Sequence, residues 1–244
     1  MILSRPELIQ RHRVADRSVP LVRVNFIASI DGAASHGGVS GPLNNEVDKE
    51  VFNMLRMLAD VIVVGAGTVR DEGYGAMRLG DAAVEWRVAN GLPEHPTFAI
   101  VTSRAELRSD APMFSDAPVR AIVATHARLG DAAADADRQQ RLDAIGRVAD
   151  VMVCGDTELD PHQMVSGLVA RGLPQILSEG GPHLLGTLIA NDVVDELDLT
   201  IAPVLEGGDA TRITAGHEQT TRQMRLELAM PAGDLLFLRY LRAS

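Results

Sequence analysis

Three segments of the chain combine residue types at spacings that can hold an anion or place a reacting group. Val63-Val64-Gly65-Ala66-Gly67-Thr68-Val69 runs a β-branched stretch into a Gly-x-Gly-Thr turn, where missing side chains let backbone N–H groups approach a phosphate. The full Gly-x-Gly-x-x-Gly dinucleotide pattern is absent, because Arg70 occupies its last place, and a plain strand-to-helix turn is the alternative reading. In Gln175-Ile176-Leu177-Ser178-Glu179-Gly180-Gly181-Pro182-His183-Leu184, apolar residues again lead into glycines, followed by a proline suited to a helix's first turn. A diphosphate against Gly180 and Gly181 would meet free N–H groups and the positive end of the helix dipole, whereas the bland reading is a tight turn. Two such turns after separate strands point to a dinucleotide site. The third segment, Asn25-Phe26-Ile27-Ala28-Ser29-Ile30-Asp31-Gly32, ends an apolar stretch in Asp-Gly, a turn signal in its own right. His36, His183 and His217 match no metal-ligand spacing and read as structural or solvated.

These segments need a scaffold, and the pattern around them supplies one. Short β-branched runs predict strands at 21–27, 60–64, 97–102, 119–124, 150–154, 175–177, 196–203 and 235–241. Asn45 to Asp60 places Val47, Val51, Met54, Leu55 and Leu58 at helical spacing, and further helices are expected at 161–171 and 182–190. Strands alternating with helices imply an α/β fold with a mostly parallel central sheet covered on both faces. The strand-rich stretch from Leu197 onward implies an antiparallel C-terminal edge, and 130–141 reads as a loop leading into a solvated helix. No linker is visible, so residues 21–244 form one domain after a polar, Arg-rich extension at 1–20.

The composition narrows the class. With 23 Lys plus Arg against 33 Asp plus Glu, the net charge of −10 disfavours nucleic acid and anionic membranes, leaving local sites for small anions. Cys154, the single cysteine, excludes an intrachain disulfide and Cys-based structural zinc, and fits a reducing cytoplasm. The N-terminus lacks the apolar stretch of a signal peptide, and no apolar run approaches the ~20 residues of a membrane span.

Taken in order and spacing, Ser29 to Gly32, Ser40, Leu55-Arg56 to Asp60, Gly65 to Val69 and Glu179 to Gly181 resemble one family. It is the RibD C-terminal domain family, the dihydrofolate-reductase-like pyrimidine reductases of riboflavin biosynthesis. The resemblance runs from about Val22 to Leu205, and Asp195-Glu196-Leu197 through Ala202-Pro203 to Gly207-Gly208 extends it. It implies a dihydrofolate-reductase-like fold, a homodimer, and NADPH-dependent reduction of a phosphoribosylamino-pyrimidine at ribose C1′ to the ribitylamino product. On that reading Gly65, Gly67, Thr68 and Val69 with Ser178, Gly180, Gly181, Pro182, His183 and Leu184 hold the cofactor's phosphates. Ile27 and Ala28 through to Asp31 lie along the nicotinamide, with Asp31 expected to be catalytic, and Ser103 and Arg104 meet a 2′-phosphate, unless Arg104 is merely a solvated loop charge.

Toward the phosphorylated substrate the resemblance assigns Asn25, Ser40, Asn44, Arg56 and Arg78, although Arg56 could instead pair with Asp60 four residues along the helix. Reduction at C1′ needs a proton near the acceptor, which makes Glu72 a candidate acid and Glu179 a second carboxylate for orienting substrate; an exposed loop acid is the alternative for Glu72. The chain departs from bacterial members at several points. Asn25 stands where they carry Lys, Asn44 where they carry Thr, Glu72 where they carry Asp, and Arg78 one residue early in a loop that has lost its Pro. These departures keep two alternatives open: a reductase of another heterocycle such as dihydrofolate, or a non-catalytic nucleotide-binding relative. The single cysteine also leaves no zinc deaminase signature, so a stand-alone reductase is expected.

Overall fold

In the computed structural model, residues 4–129, 132–218 and 220–243 are described. Helices α1 (Arg5–His12), α2 (Glu46–Leu58), α3 (Ala66–Asp71), α4 (Asp81–Ala89), α5 (Pro112–Ser115), α6 (Ala132–Gly146), α7 (Pro161–Val169) and α8 (Pro182–Ala190) surround one sheet. Its strands are β1 (Leu21–Ser29), β2 (Val61–Gly65), β3 (Thr97–Val101), β4 (Ile122–Thr125), β5 (Asp150–Val153), β6 (Gln175–Ser178), β7 (Glu196–Ala202), β8 (Met224–Ala232) and β9 (Leu235–Arg242). They lie in the order β5-β4-β3-β2-β6-β1-β7-β9-β8. The pairings from β5 to β7 are parallel and the last two are antiparallel, as the helix-free C-terminal stretch implied.

Alternation along the strands divides the core between the two faces. Ile62, Val64, Phe98, Ile100 and Val123 face α2, α4 and α6. Val61, Val63, Ala99, Ile122 and Ala124 face α7 and α8, a layer that also holds Cys154, whose thiol burial pushes up to about 11. Central β6 is buried along its length between β1 and β2, so its sequence is apolar rather than alternating. Its last residue, Ser178, pairs with Val24 of β1 and Val63 of β2, and the chain leaves the sheet toward the strands' C-terminal ends, the side on which open parallel sheets bind ligands.

Several sequence expectations are corrected. Val47, assigned to the apolar stripe, is exposed, while its neighbour Asp48 is buried against Thr200 of β7 and Met57 is fully buried. The stretch read as a loop before a solvated helix is helical from Ala132 on: α6 is mostly exposed, and Arg138 is one of its three buried residues. Its guanidinium saturates carbonyls of Ser103, Ala127 and His126, which a count of surface charges does not anticipate. Gly130 and Asp131 lie outside the described residues. The 1–20 extension carries α1, whose Ile9 and His12 are buried against the domain.

Under α1 lies a buried ionic cluster. Arg239 donates twice to Glu196, at 2.9 and 2.8 Å, and Arg23 donates to the same carboxylate at 2.6 Å. His12 Nε2 lies 3.2 Å from Asp198. Burial opposes ionisation of Glu196, but the two arginines outweigh it and lower its carboxyl from 4.5 to about 2. His12, Glu196 and Asp198 converge closely enough to suggest a metal, yet the two guanidiniums already supply the positive charge there.

Candidate active site

The site is organised around the glycine turn after β6. Glu179 N–H donates to Val63 O at 3.0 Å and Gly65 N–H donates to Gly180 O at 2.7 Å, tying that turn to the end of β2. Gly180 has φ +87°, and a Cβ there would stand 2.7 Å from the Phe26 ring; a Cβ on Gly181 would overlap Thr68 Oγ1. The Gly180–Gly181 peptide is cis. Glycine is required twice here because β1, α3 and α8 close onto the turn from different sides.

On one side opens a cavity of about 580 Å³, within the usual range for small-molecule sites. Asn25 and Ile27 from β1, Ser40, Asn44, Arg56 from α2, and Glu72 and Glu179 line it together. Arg56 grips Glu179 bidentately, Nε to Oε1 at 2.6 Å and Nη2 to Oε2 at 2.7 Å, and Tyr74 OH donates to Oε2 at 2.8 Å. The Arg56 guanidinium stacks 4.1 Å from the centroid of Phe52. Burial opposes the charge on Arg56, but Glu179 more than offsets it and raises the guanidinium's pKa. Burial, and then the Glu179 charge, raise the Tyr74 phenol well above its ordinary value, so it stays a donor. The alternative pairing of Arg56 with Asp60 is excluded: α2 ends at Leu58, and Asp60 pairs with Arg17. Opposite, Glu72 accepts the backbone N–H of Ser40 at 2.7 Å, tying the loop after α3 to the loop before α2.

On the other side runs a groove of about 680 Å³ lined by Gly65, Gly67, Thr68, Ser103, Arg104, Gly181, Pro182, His183 and Leu184. The N-terminal residues Pro182, His183 and Leu184 of α8 form part of its wall, and Arg104 and Arg70 bring positive charge to it. Cavity and groove share Thr68, Asp71, Gly181, Pro182 and His183, so they open into each other across the glycine turn. Asp71, Glu106 and Glu158 also line the groove, so its fit to a dinucleotide's phosphates rests on the Gly67 and Gly181 backbone, the α8 N-terminus and the local positions of the two arginines.

Six expected residues line neither space. Ala28, Val69, Ser178 and Gly180 are buried and reach neither space. Asp31 is placed elsewhere: its carboxylate accepts from Ser29 Oγ and from the N–H groups of Glu206 and Gly207. The Ser29 hydroxyl and those two N–H groups lower its pKa to about 2, which makes it an anchor for the 204–208 loop rather than an acid facing substrate. Arg78 is exposed and donates to Asp116 O at 2.9 Å, because the loop without its proline carries it away from the cavity. Conversely, Asp48, Phe52, Tyr74 and Thr211 line the cavity without having been expected there. Asp48 is buried in the first turn of α2, where desolvation raises its carboxyl pKa and a hydrogen bond from Thr200 opposes the rise.

Known proteins with this arrangement are recognisable by sequence and by shape. The chain is 26% identical over 216 residues to a 2,5-diamino-6-ribosylamino-4(3H)-pyrimidinone 5′-phosphate reductase of Archaeoglobus fulgidus, a match covering 88% of this chain and 94% of that one. It superposes on a pyrimidine reductase-like protein of Corynebacterium diphtheriae with a TM-score of 0.84, 29% identity and 92% of each chain covered. A dihydrofolate reductase of Enterococcus faecalis aligns over 92% of this chain and 97% of its own at a TM-score of 0.51 and 12% identity, which makes the fold dihydrofolate-reductase-like. The RibD C-terminal domain model matches residues 20–232, from the start of β1 through the end of β8, and with the motif residues gathered at one cleft the chain belongs to the RibD C-terminal domain family.

Proposed function

We propose that this protein reduces a 2,5-diamino-6-ribosylamino-pyrimidinone 5′-phosphate to its ribitylamino product with NADPH. The observation that carries the reading is the continuity of two differently lined spaces across Gly181 and Thr68, which lets a hydride donor and an acceptor meet while their phosphates lie apart. The relatives' reductase names support the substrate class.

When bound in the groove, NADPH supplies the hydride. Gly67, Gly181 and the first turn of α8 hold its phosphates beside Gly65, whose N–H is committed to Gly180 O, and Ser103 and Arg104 take the 2′-phosphate. In the cavity, Arg56 has Nε and Nη2 committed to Glu179 and keeps Nη1 for the substrate's phosphate, beside the Ser40 hydroxyl. Asn25 and Asn44 bind substrate polar groups, and the Arg56–Glu179–Tyr74 triad fixes the wall they share. At C1′ of the ring-opened imine, carbon gains a hydride and nitrogen gains a proton, and in this reading Glu72, which lines the cavity, delivers that proton.

Steady-state assays with the diamino-pyrimidinone substrate and with dihydrofolate test the reading. Turnover of the first is expected; turnover of dihydrofolate alone overturns it, and turnover of neither favours a non-catalytic relative. For the cofactor, Arg104→Ala should weaken NADPH binding about tenfold, roughly 1.4 kcal/mol, and leave NADH nearly unchanged. An equal effect on both removes Arg104 from the 2′-phosphate site. The same reading carries a cytoplasmic homodimer. Ile30, Val204 and Leu205, all exposed and joined by the Ile30 N–H to Val204 O bond, offer it an apolar contact, which sedimentation of a Leu205→Asp variant checks. Among the described residues no helix is long and apolar enough to cross a membrane.

A further inference from the structure

The cavity contains a buried acid that the reaction above leaves without a task. Asp48 is 7% exposed and lines the cavity with Asn25 and Asn44. Thr200 Oγ1 donates to Asp48 Oδ1 at 2.6 Å, the single hydrogen bond to this carboxylate among the described residues, and no cation there pairs with it. Asn44, four residues earlier in the segment before α2, carries an Oδ1 that is buried and has no hydrogen-bond partner among the described residues. Two acceptors therefore share one wall with too few donors. Buried acceptors left unpaired carry an uncompensated desolvation cost. A ligand that brings N–H groups to this wall removes that cost, whereas one that brings carbonyl oxygens adds repulsion to it.

Ring chemistry then distinguishes candidate substrates. The edge of a 2-aminopyrimidin-4-one presents ring N3–H and an exocyclic 2-amino N–H side by side, two donors that match the two oxygens of a carboxylate. At the same edge a pyrimidine-2,4-dione presents one N–H and one carbonyl oxygen. We infer that Asp48, assisted by Asn44, is the specificity residue of this reductase, binding the two-donor edge of the pyrimidine and selecting the 2-amino ring over the dione. The inference rests on the proposed function. Asp48 is a binding residue in it and moves no proton at C1′.

The test compares kcat/KM for the phosphoribosylamino substrates with the 2-amino ring and with the dione ring. Wild-type protein should prefer the 2-amino ring by about a hundredfold or more, since a site built to hydrogen-bond a group rejects analogues that lack it. Asparagine at 48 presents one acceptor and one donor, the complement of the dione edge, and still accepts from Thr200. Asp48→Asn should therefore lower kcat/KM for the 2-amino substrate about a hundredfold and raise it for the dione, reversing the preference without changing NADPH affinity. A merely structural role would lower both substrates together. Turnover of neither ring by the wild type means that the proposed function fails. Turnover with no preference, or with the same preference in Asp48→Asn, overturns this inference alone. If Asp48→Asn does not fold, Asn44→Ala decides: a fall in the wild-type preference supports the assignment and an unchanged preference overturns it.

Discussion

Glu72 accepts the Ser40 N–H through Oε1 and lines the cavity, and the proposed reaction uses its carboxyl as the proton donor. Glutamine at this position keeps an acceptor for the N–H and removes the acid. Glu72→Gln should accordingly lower kcat by about 10²–10⁴ with little change in melting temperature, and an unaltered kcat takes Glu72 out of proton delivery. Residues of this kind were legible in the sequence because they sit inside motifs: Ser40, Arg56, Glu72 and Glu179 all reach one cavity. Asp48 was not, since an acid in a helix's first turn is already explained by the helix dipole. Tyr74 was hidden in an irregular loop and gains meaning only through Glu179, 105 residues away in sequence. Asp31 and Arg78 were misjudged because a motif gives a position and not the direction of a side chain in a loop.

At the scale of elements, the glycine turn after β6 sets the spacing between α3 and α8. Valine at 181 would push into Thr68 Oγ1 and force the two walls of the groove apart. Gly181→Val should weaken NADPH binding tenfold or more by fluorescence titration, and adding Thr68→Gly should recover part of the loss. Unchanged affinity in Gly181→Val would show that the groove does not depend on this contact. The parallel strands were readable as short apolar runs flanked by turns, and α2, α7 and α8 as amphipathic or capped segments. Short α3 offered too few turns for a helical period to register, and α4, as long as α7 and α8, lacks a side-chain cap and buries only Arg87, so it shows no apolar stripe. Strand β8 was missed because Pro231, a bulge between Leu226 and Leu228 and its mostly exposed residues erase the alternation of a paired strand. Such irregularity is tolerated at the sheet's edge.

For the whole molecule, a net charge of −10 means that the two anionic ligands of the proposed reaction depend on local devices: backbone N–H groups, one helix end and the arginines of the cleft. The remaining arginines include structural ones, as in the Arg23–Glu196–Arg239 cluster that ties β1, β7 and β9 together. Folding lowers the Glu196 carboxyl from 4.5 to about 2, so the unfolded chain binds the proton more tightly and stability rises with pH across that interval. The contribution is complete above pH 4.5 and lost as pH falls through about 2. Urea unfolding at a series of pH values should show Glu196→Gln less stable at neutral pH by about 3–5 kcal/mol, with a flatter slope in that interval. An unaltered slope would remove Glu196 from the acid response. This cluster, assembled from three distant strands and a helix, was invisible in a sequence where each member reads as an ordinary charge.

The central claim is that hydride passes from the groove to the cavity across the Gly181–Thr68 boundary and reaches ribose C1′. The most direct measurement is transfer of deuterium from NADPH labelled at nicotinamide C4, followed by mass and NMR analysis of the product. One deuterium on C1′ of a ribitylamino-pyrimidine phosphate is the result this account predicts. Deuterium on the heterocycle, or NADPH oxidation without label in the product, would contradict it.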